Sequence, residues 1–230
     1  MRSLYFDERS KNEKEGYFLE GDKMIELKGV RKQLNSRTVL DNINYTFEYG
    51  KVYGVCGPNG SGKTMLLRAI SGLIVPDSGE IIIDSKILHK DISFPPSIGI
   101  VIENMQLLPR YNAFDNLRLL ADIRKTATDE DIRDSLKRVG LDSDLVVRKY
   151  SLGMKQRLNI AQAIFEKPKI ILLDEPTNAL DKEGIELVYN IVREERERGA
   201  AIVISTHNLQ DINKICDTVI NISEGGRINE

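Results

Sequence analysis

The most informative part of the chain is Gly57-Pro58-Asn59-Gly60-Ser61-Gly62-Lys63-Thr64, because its glycine spacing and Lys-Thr ending are typical of a phosphate-binding loop. The apolar run Val52-Tyr53-Gly54-Val55-Cys56 precedes it and a helical pattern starting at Met65 follows it. Glycines let backbone N–H groups turn towards phosphate oxygens, and the positive end of the following helix faces the same anion. We expect Lys63 to reach the β- and γ-phosphates of a nucleotide and Thr64 to hold Mg²⁺.

Composition limits the possible classes of protein. With 230 residues, 41% of them hydrophobic, the chain can form one domain, or one domain with a small subdomain. A net charge of −2 provides no general attraction to nucleic acid or anionic lipid. The apolar run at 170–173 is far shorter than the roughly 20 residues of a membrane-spanning helix. Cys56 and Cys216 suggest neither a metal site nor a disulfide framework, which favours a reducing cytoplasm.

The order of the predicted elements indicates an α/β fold. Residues 1–23 are rich in charge and predict a flexible extension, whereas 24–230 predict a folded domain with a helical insert at about 104–160. Strands are predicted at 25–29, 39–47, 51–56, 79–83, 98–102, 169–173, 200–205 and 218–222, and helices at 63–72, 113–124, 129–139, 151–166, 181–198 and 209–215. This alternation predicts a mostly parallel sheet covered on both faces, with ligands at the carboxyl ends of its strands.

A second motif places two carboxylates after a buried strand. Four apolar residues, 170–173, run directly into Asp174-Glu175-Pro176-Thr177. At the carboxyl edge of the sheet, Asp174 can support Mg²⁺ and Glu175 can orient or deprotonate an attacking water. The alternative is that the two carboxylates only end a strand and cap a turn.

Three further segments connect the chain to a known family. They are Tyr150-Ser151-Leu152-Gly153-Met154-Lys155-Gln156-Arg157, Asn178-Ala179-Leu180-Asp181 and Ser205-Thr206-His207. In this order and spacing they resemble the signature, D-loop and switch histidine of ATP-binding-cassette (ABC) ATPases, over residues 24–228. The resemblance implies the P-loop NTPase fold of these ATPases, with a mixed, mostly parallel sheet, an antiparallel β-subdomain and a helical subdomain.

The resemblance also implies roles for individual residues. ATP and Mg²⁺ are the expected cofactors, and residues 57–64 with Met65 are expected to bind the nucleotide. Glu175, His207 and Lys63 are the expected catalytic residues. In this family two cassettes meet head to tail, so Ser151 and Gly153 would contact the γ-phosphate of the nucleotide on the partner cassette.

Three positions depart from the family pattern, and at one of them Leu152 stands where many members have a glycine in the signature. Glu103 stands where the family usually has a glutamine that senses Mg²⁺ and water, and we expect it to keep this role beside Thr64 and Asp174. Leu34 falls near the position of the aromatic residue that stacks on adenine, and it offers the base only an apolar contact. The pair Ile102-Glu103, together with the signature sequence, resembles the branch of the family that serves bacitracin and lantibiotic export and self-immunity.

The favoured function is the ATP-hydrolysing subunit of an exporter, working with a separate transmembrane permease and a second nucleotide-binding domain, identical or paralogous. The expected location is cytoplasmic, peripheral on the inner face of the membrane. The alternative is a soluble ABC ATPase acting on nucleic acid or protein assemblies, but no basic stripe supports a nucleic-acid partner. Apolar residues near the insert, Leu107, Leu108, Tyr111 and Phe114, either receive a permease helix or pack the insert's own core.

Overall fold

The computed structural model describes residues 25–103, 106–141, 143–207 and 209–229. The predicted extension at 1–23 lies outside these residues. The described part of the chain has no helix that is both long enough and apolar enough to cross a bilayer.

Two sheets form the framework of the molecule. The first is antiparallel with strand order β2-β1-β4-β5, and the second has the order β10-β9-β3-β8-β7-β6, in which only β10 runs antiparallel to its neighbour. The strands are β1 (Ile25–Leu34), β2 (Arg37–Phe47), β3 (Val52–Cys56), β4 (Ser78–Ile83), β5 (Lys86–Ile87), β6 (Ile98–Val101), β7 (Ile170–Asp174), β8 (Ala201–Ser205), β9 (Thr218–Ser223) and β10 (Arg227–Asn229).

Within the described ranges, six α-helices cover and extend these sheets. They are α1 (Lys63–Ile70), α2 (Ala113–Arg124), α3 (Asp129–Arg138), α4 (Leu152–Ile164), α5 (Lys182–Glu197) and α6 (Leu209–Ile215), and a short 3₁₀ turn spans Val147–Lys149. Local sequence explains where α3 begins, because Thr128 and Asp131 form a capping box there. The pKa of Asp131 is lowered to about 2, mainly by its hydrogen bond with the Lys167 ammonium and next by its hydrogen bonds with Thr128.

Alternation along the central strands divides the buried core into two layers. In β7, Ile171 and Leu173 pack into the cluster shared with helices α2 to α5, whereas Ile170 and Leu172 face the cluster shared with α1 and the antiparallel sheet. Successive residues of a strand point to opposite faces, so a strand buried on both faces needs a continuous apolar run. The run at 170–173 is therefore the sequence signature of a central strand.

An ion-pair network joins the helical region to the body of the protein. Arg138 at the end of α3 lies 2.8 Å from the nearly fully buried carboxylate of Glu195 on α5. Arg198 contacts the same carboxylate at 2.5 Å and donates to the carbonyl oxygens of Lys167 and Pro168, just before β7. Two guanidinium groups thus satisfy one buried carboxylate, as a buried charge requires.

The structure confirms the predicted fold class and alters its details. β1 and β2 are longer than predicted and form a hairpin whose turn residues, Asn35 and Ser36, both have positive φ. The two-residue strand β5, the three-residue strand β10 and the 3₁₀ turn were absent from the prediction, because such short segments carry no measurable periodicity.

Candidate nucleotide-hydrolysis site

Strand order brings the sequence motifs to one edge of the six-stranded sheet. β3, β8 and β7 are adjacent and parallel, and Asp174 at the end of β7 is paired with Ser205 at the end of β8. The loop after β3 and the residues after β7 and β8 consequently emerge side by side. Glu103 follows β6, the next strand in the sheet.

The phosphate loop is held tightly by its neighbours. Gly62 caps α1 with φ +112°, and a Cβ there would lie 2.3 Å from the carbonyl oxygen of Val39. A Cβ at Gly57 would lie 2.2 Å from the carbonyl oxygen of Ile222. Lys63 donates from Nζ to the carbonyl oxygens of Gly57 and Pro58 at 2.8 and 3.2 Å, so its ammonium lies across the loop.

Thr64 and Asp174 place two side-chain oxygens, of the kind that bind metal ions, beside the loop. The Thr64 hydroxyl donates to Asp174 Oδ2 at 2.8 Å, and the Ser205 hydroxyl donates to the other oxygen of the same carboxylate. No group of three or more His, Cys, Asp or Glu residues in the described ranges could hold a metal by itself. Magnesium usually takes one or two protein oxygens together with phosphate and water oxygens, and this donor set fits it.

Glu175 has one oxygen engaged and one available. Its backbone lies in the left-handed region at φ +48°, and its N–H donates to the Ser205 carbonyl oxygen at 2.9 Å. Oε1 lies 2.9 Å from His207 Nδ1, whereas the buried Oε2 has no hydrogen-bond partner among the described residues. A strained backbone and an unsatisfied buried carboxylate oxygen are both features concentrated at functional sites.

A cavity of about 450 Å³ connects these residues to the β1–β2 hairpin. Ten of the fourteen residues predicted for one nucleotide site line it, whereas Gly57, Pro58, Ser61 and His207 do not. The lining residues are Leu34, Arg37, Val39, Asn59, Gly60, Gly62, Lys63, Thr64, Met65, Glu103, Asp174 and Glu175. The phosphate loop forms one part of the cavity wall, and the β1–β2 hairpin forms another. This arrangement suits an elongated, highly charged ligand with an apolar or planar group at one end.

Arg37 belongs to the cavity and was missed by the sequence reasoning. It pairs with Leu34 across the hairpin turn, and its Nη2 donates to the Gly60 carbonyl oxygen at 3.2 Å. A planar guanidinium can stack on a base or contact a phosphate. The available signal was a cation three residues after Leu34, but it becomes informative only once the turn is known.

The signature segment lies apart from this cavity. Ser151 caps α4 by accepting from the Met154 N–H at 3.2 Å, and Leu152 is 73% exposed. A Cβ at Gly153 would lie 3.1 Å from the Ala179 carbonyl oxygen, so the signature approaches the 178–181 segment closely. Ser151 and Gly153 are therefore not brought to the same chain's phosphate loop. This separation is what a site completed by a second cassette requires.

Cys56 is the titratable residue immediately before the phosphate loop. Burial raises the pKa of its thiol, against the opposing influence of the Lys63 ammonium. A protonated thiol is a poor nucleophile and metal ligand. Cys56 thus acts as a small buried residue at the end of β3.

Comparisons with known proteins agree with this geometry. The ABC transporter family profile matches residues 40–178. An uncharacterized ABC transporter ATP-binding protein of Bacillus subtilis, YybJ, is 58% identical over 88% of this chain and 94% of its own. The lantibiotic transport ATP-binding protein SrtF of Streptococcus pyogenes is 35% identical over 90% of each chain, which confirms the resemblance to the bacitracin and lantibiotic branch.

A solved structure extends the likeness to three dimensions. The ATP-binding cassette MJ0796, in a dimeric post-hydrolysis state bound to ADP and Pi, superposes with a TM-score of 0.80 at 26% identity. The match covers 90% of this chain and 97% of MJ0796. The chain belongs to the ABC transporter family and is one of its ATP-binding, ATP-hydrolysing subunits.

Proposed function

We propose that this subunit drives an exporter of peptide antibiotics or similar amphiphilic compounds, as one of two cassettes docked on the inner membrane face against a separate permease. The observation that carries the proposal is the division of the ATP site. The phosphate loop, Asp174 and Glu175 share one cavity, whereas Ser151 and Gly153 lie elsewhere on the chain. The likeness to SrtF supports the class of cargo.

In the proposed mechanism each residue has a separate task. Lys63 and the loop N–H groups bind the β- and γ-phosphates. Thr64 and Asp174 would hold magnesium, which would supply positive charge to offset that of the phosphates. Glu175 uses its free oxygen, Oε2, to orient the attacking water and accept its proton. His207 holds the other oxygen of Glu175 and thereby fixes the carboxylate plane.

The partner cassette completes the site in this proposal. Ser151 and Gly153 at the N-terminus of α4 present a hydroxyl and backbone N–H groups to the γ-phosphate bound by the other cassette. Gln156 on the same helix donates to the Pro176 carbonyl oxygen at 3.0 Å. The signature helix is therefore connected to the segment that carries Glu175, so hydrolysis can affect the cassette interface.

The apolar residues near the helical region divide between two roles. Leu107 and Phe114 pack against the core, as one of the two sequence interpretations expected. Leu108 and Tyr111 are 43% and 45% exposed and remain candidates for contact with the permease. A cavity of about 550 Å³ is lined by Leu107, Pro109 and Gln156, whereas Leu108 and Tyr111 do not line it.

Purification from membranes tests the proposed assembly. We expect this chain to co-purify with a polytopic membrane protein and its ATPase rate to rise when a cationic amphiphilic peptide is added. ATPase activity that rises instead with nucleic acid, in material free of any polytopic partner, would favour the soluble alternative. The same preparation gives the ratio of cassettes to permease and so distinguishes a homodimer from a paralogue pair.

Lys63→Ala is expected to weaken ATP binding at least about tenfold, because charge-assisted hydrogen bonds to phosphate are lost. Equilibrium titration with a fluorescent ATP analogue measures the change. Lys214→Ala, which removes an exposed lysine paired with Glu186, is the matched control and should bind normally. Unchanged affinity in Lys63→Ala would contradict the assignment of the loop.

Glu103→Gln is expected to raise the magnesium concentration for half-maximal ATPase activity a few-fold, because a neutral amide is a weaker ligand for a hard cation than a carboxylate. The measurement is a magnesium titration at fixed, saturating ATP. A magnesium dependence, turnover and permease coupling that all match the parent would remove Glu103 from the sensing role.

A further inference from the structure

Glu103 creates an electrostatic problem at the proposed site. Three carboxylates, those of Glu103, Asp174 and Glu175, line the cavity that must accept a triphosphate. Asp174 accepts hydrogen bonds from two hydroxyl groups, and Glu175 contacts His207 through Oε1 alone. A carboxylate at position 103 would repel the γ-phosphate, because like charges at short range disfavour each other, most strongly where water is excluded.

The structure provides a specific partner for this carboxylate. Arg68 Nη2 donates to Glu103 Oε2 at 2.6 Å, within the short range of charge-assisted hydrogen bonds. Within the described ranges, neither residue forms another ion pair. The contact therefore joins the helix after the phosphate loop to the segment after β6.

Arg68 connects Glu103 to the helix that follows the phosphate loop. Arg68 lies in the last turn of α1, the helix that begins at Lys63 and carries the loop at its other end. The Arg68 side chain is 31% exposed and that of Glu103, which lines the cavity, is 54% exposed, so the pair can separate without burying a charge. Glu103 has φ +57°, an uncommon conformation that directs a non-glycine residue away from regular strand geometry.

We propose that Arg68 is a positioning residue that neutralises Glu103 and holds its carboxylate at the cavity rim. The γ-phosphate can then enter the cavity before magnesium binds that carboxylate. The ion pair permits a glutamate at this position. This inference rests on the proposed sensing role of Glu103. It predicts that Arg68 and magnesium compete for the same oxygen atoms.

The test compares ATP and ADP binding without magnesium. Fluorescent analogues of both nucleotides are titrated in EDTA against the parent chain, Arg68→Gln, Glu103→Gln and the double variant. Arg68→Gln should weaken ATP-analogue binding about tenfold, as expected when a like charge near the γ-phosphate loses its counter-ion. ADP-analogue binding should change less than about twofold, because ADP lacks that phosphate. Adding Glu103→Gln to Arg68→Gln should restore ATP binding.

A magnesium titration of ATPase activity is an independent test, because the two variants should shift the half-maximal magnesium concentration in opposite directions. Arg68→Gln should lower the magnesium concentration for half-maximal activity, whereas Glu103→Gln should raise it. Arg118→Gln removes a guanidinium that is paired with Asp122 on α2 and with Asp129 at the start of α3, outside the cavity, and serves as the control. Arg68→Lys keeps the charge and should preserve the ATP-to-ADP preference, and it replaces Arg68→Gln if the latter unfolds.

Several results would overturn the inference. Equal loss of ATP and ADP affinity in Arg68→Gln, unchanged ATP affinity in that variant, or a double variant as weak as Arg68→Gln would each exclude electrostatic positioning. With Arg68→Lys as the substitute, an ATP-to-ADP preference that falls about tenfold would have the same meaning. Failure of the parent chain to bind either nucleotide would instead reject the nucleotide site itself. A Glu103→Gln variant with normal magnesium dependence would reject the sensing role.

Discussion

Glu175→Gln is expected to slow ATP hydrolysis at least about 10²-fold while nucleotide binding is retained, as loss of a general base predicts. The substitution keeps the shape of the side chain and removes the negative charge. The free oxygen Oε2 is the atom that matters, because Oε1 is already engaged by His207 and Oε2 has no partner. An amide at that position cannot take a proton from water.

Two measurements separate chemistry from binding in this variant. Single-turnover phosphate release gives the rate of hydrolysis, and size-exclusion chromatography with ATP shows whether a bound dimer accumulates. Glu186→Gln makes the same chemical change at an exposed residue paired with Lys214, and it should behave like the parent. Parent-like phosphate release from Glu175→Gln would remove the catalytic role from this residue.

Gly99→Ala is expected to lower the free energy of unfolding by about 3 kcal/mol, the upper part of the range for overpacked sites. A Cβ at Gly99 in β6 would lie 1.7 Å from the carbonyl oxygen of Ala163 in α4 and 2.7 Å from its carbonyl carbon. These are backbone atoms of a buried helix, so the helix must shift as a unit. For a chain of this size the melting temperature should fall by roughly 6 to 12 °C.

Gly199→Ala is the matched control for this experiment. Gly199 has φ +95°, and a Cβ added there would meet no atom within 4 Å, so alanine introduces only backbone strain. That strain should cost about 1 to 2 kcal/mol. Chemical denaturation measures the loss of unfolding free energy in both variants. Equal losses would show that the close β6–α4 contact at Gly99 does not cause the destabilisation of Gly99→Ala.

Local patterns predicted much of the fold and site. The helix at 113–124 and the helix at 209–215 have the predicted bounds, because apolar spacing, caps and charged ends act over neighbouring residues. Lys63, Thr64, Asp174 and Glu175 were predicted from motifs whose chemistry depends on a strand, a tight loop and a helix that are contiguous in sequence.

Strand order decided which motifs meet. Asp174 is 110 residues from Thr64, yet their side chains are 2.8 Å apart, because β3 and β7 flank β8 in one parallel sheet. The motifs favoured this proximity, but they did not assign Ser205 to Asp174 or leave one oxygen of Glu175 without a partner. Such details depend on side-chain directions at the sheet edge.

The class of chemistry could be predicted from the sequence, since a glycine loop and paired carboxylates are local arrangements of residue types. The packing of the folded chain was needed to show that Arg68 is paired with Glu103, that Arg37 lines the cavity beside the phosphate loop and that Gly99 has no room for a side chain. The physical reason is that these contacts join segments distant in sequence, and their distances depend on how sheets and helices pack. Periodicity and composition report which face of an element is buried, but not which neighbour covers it.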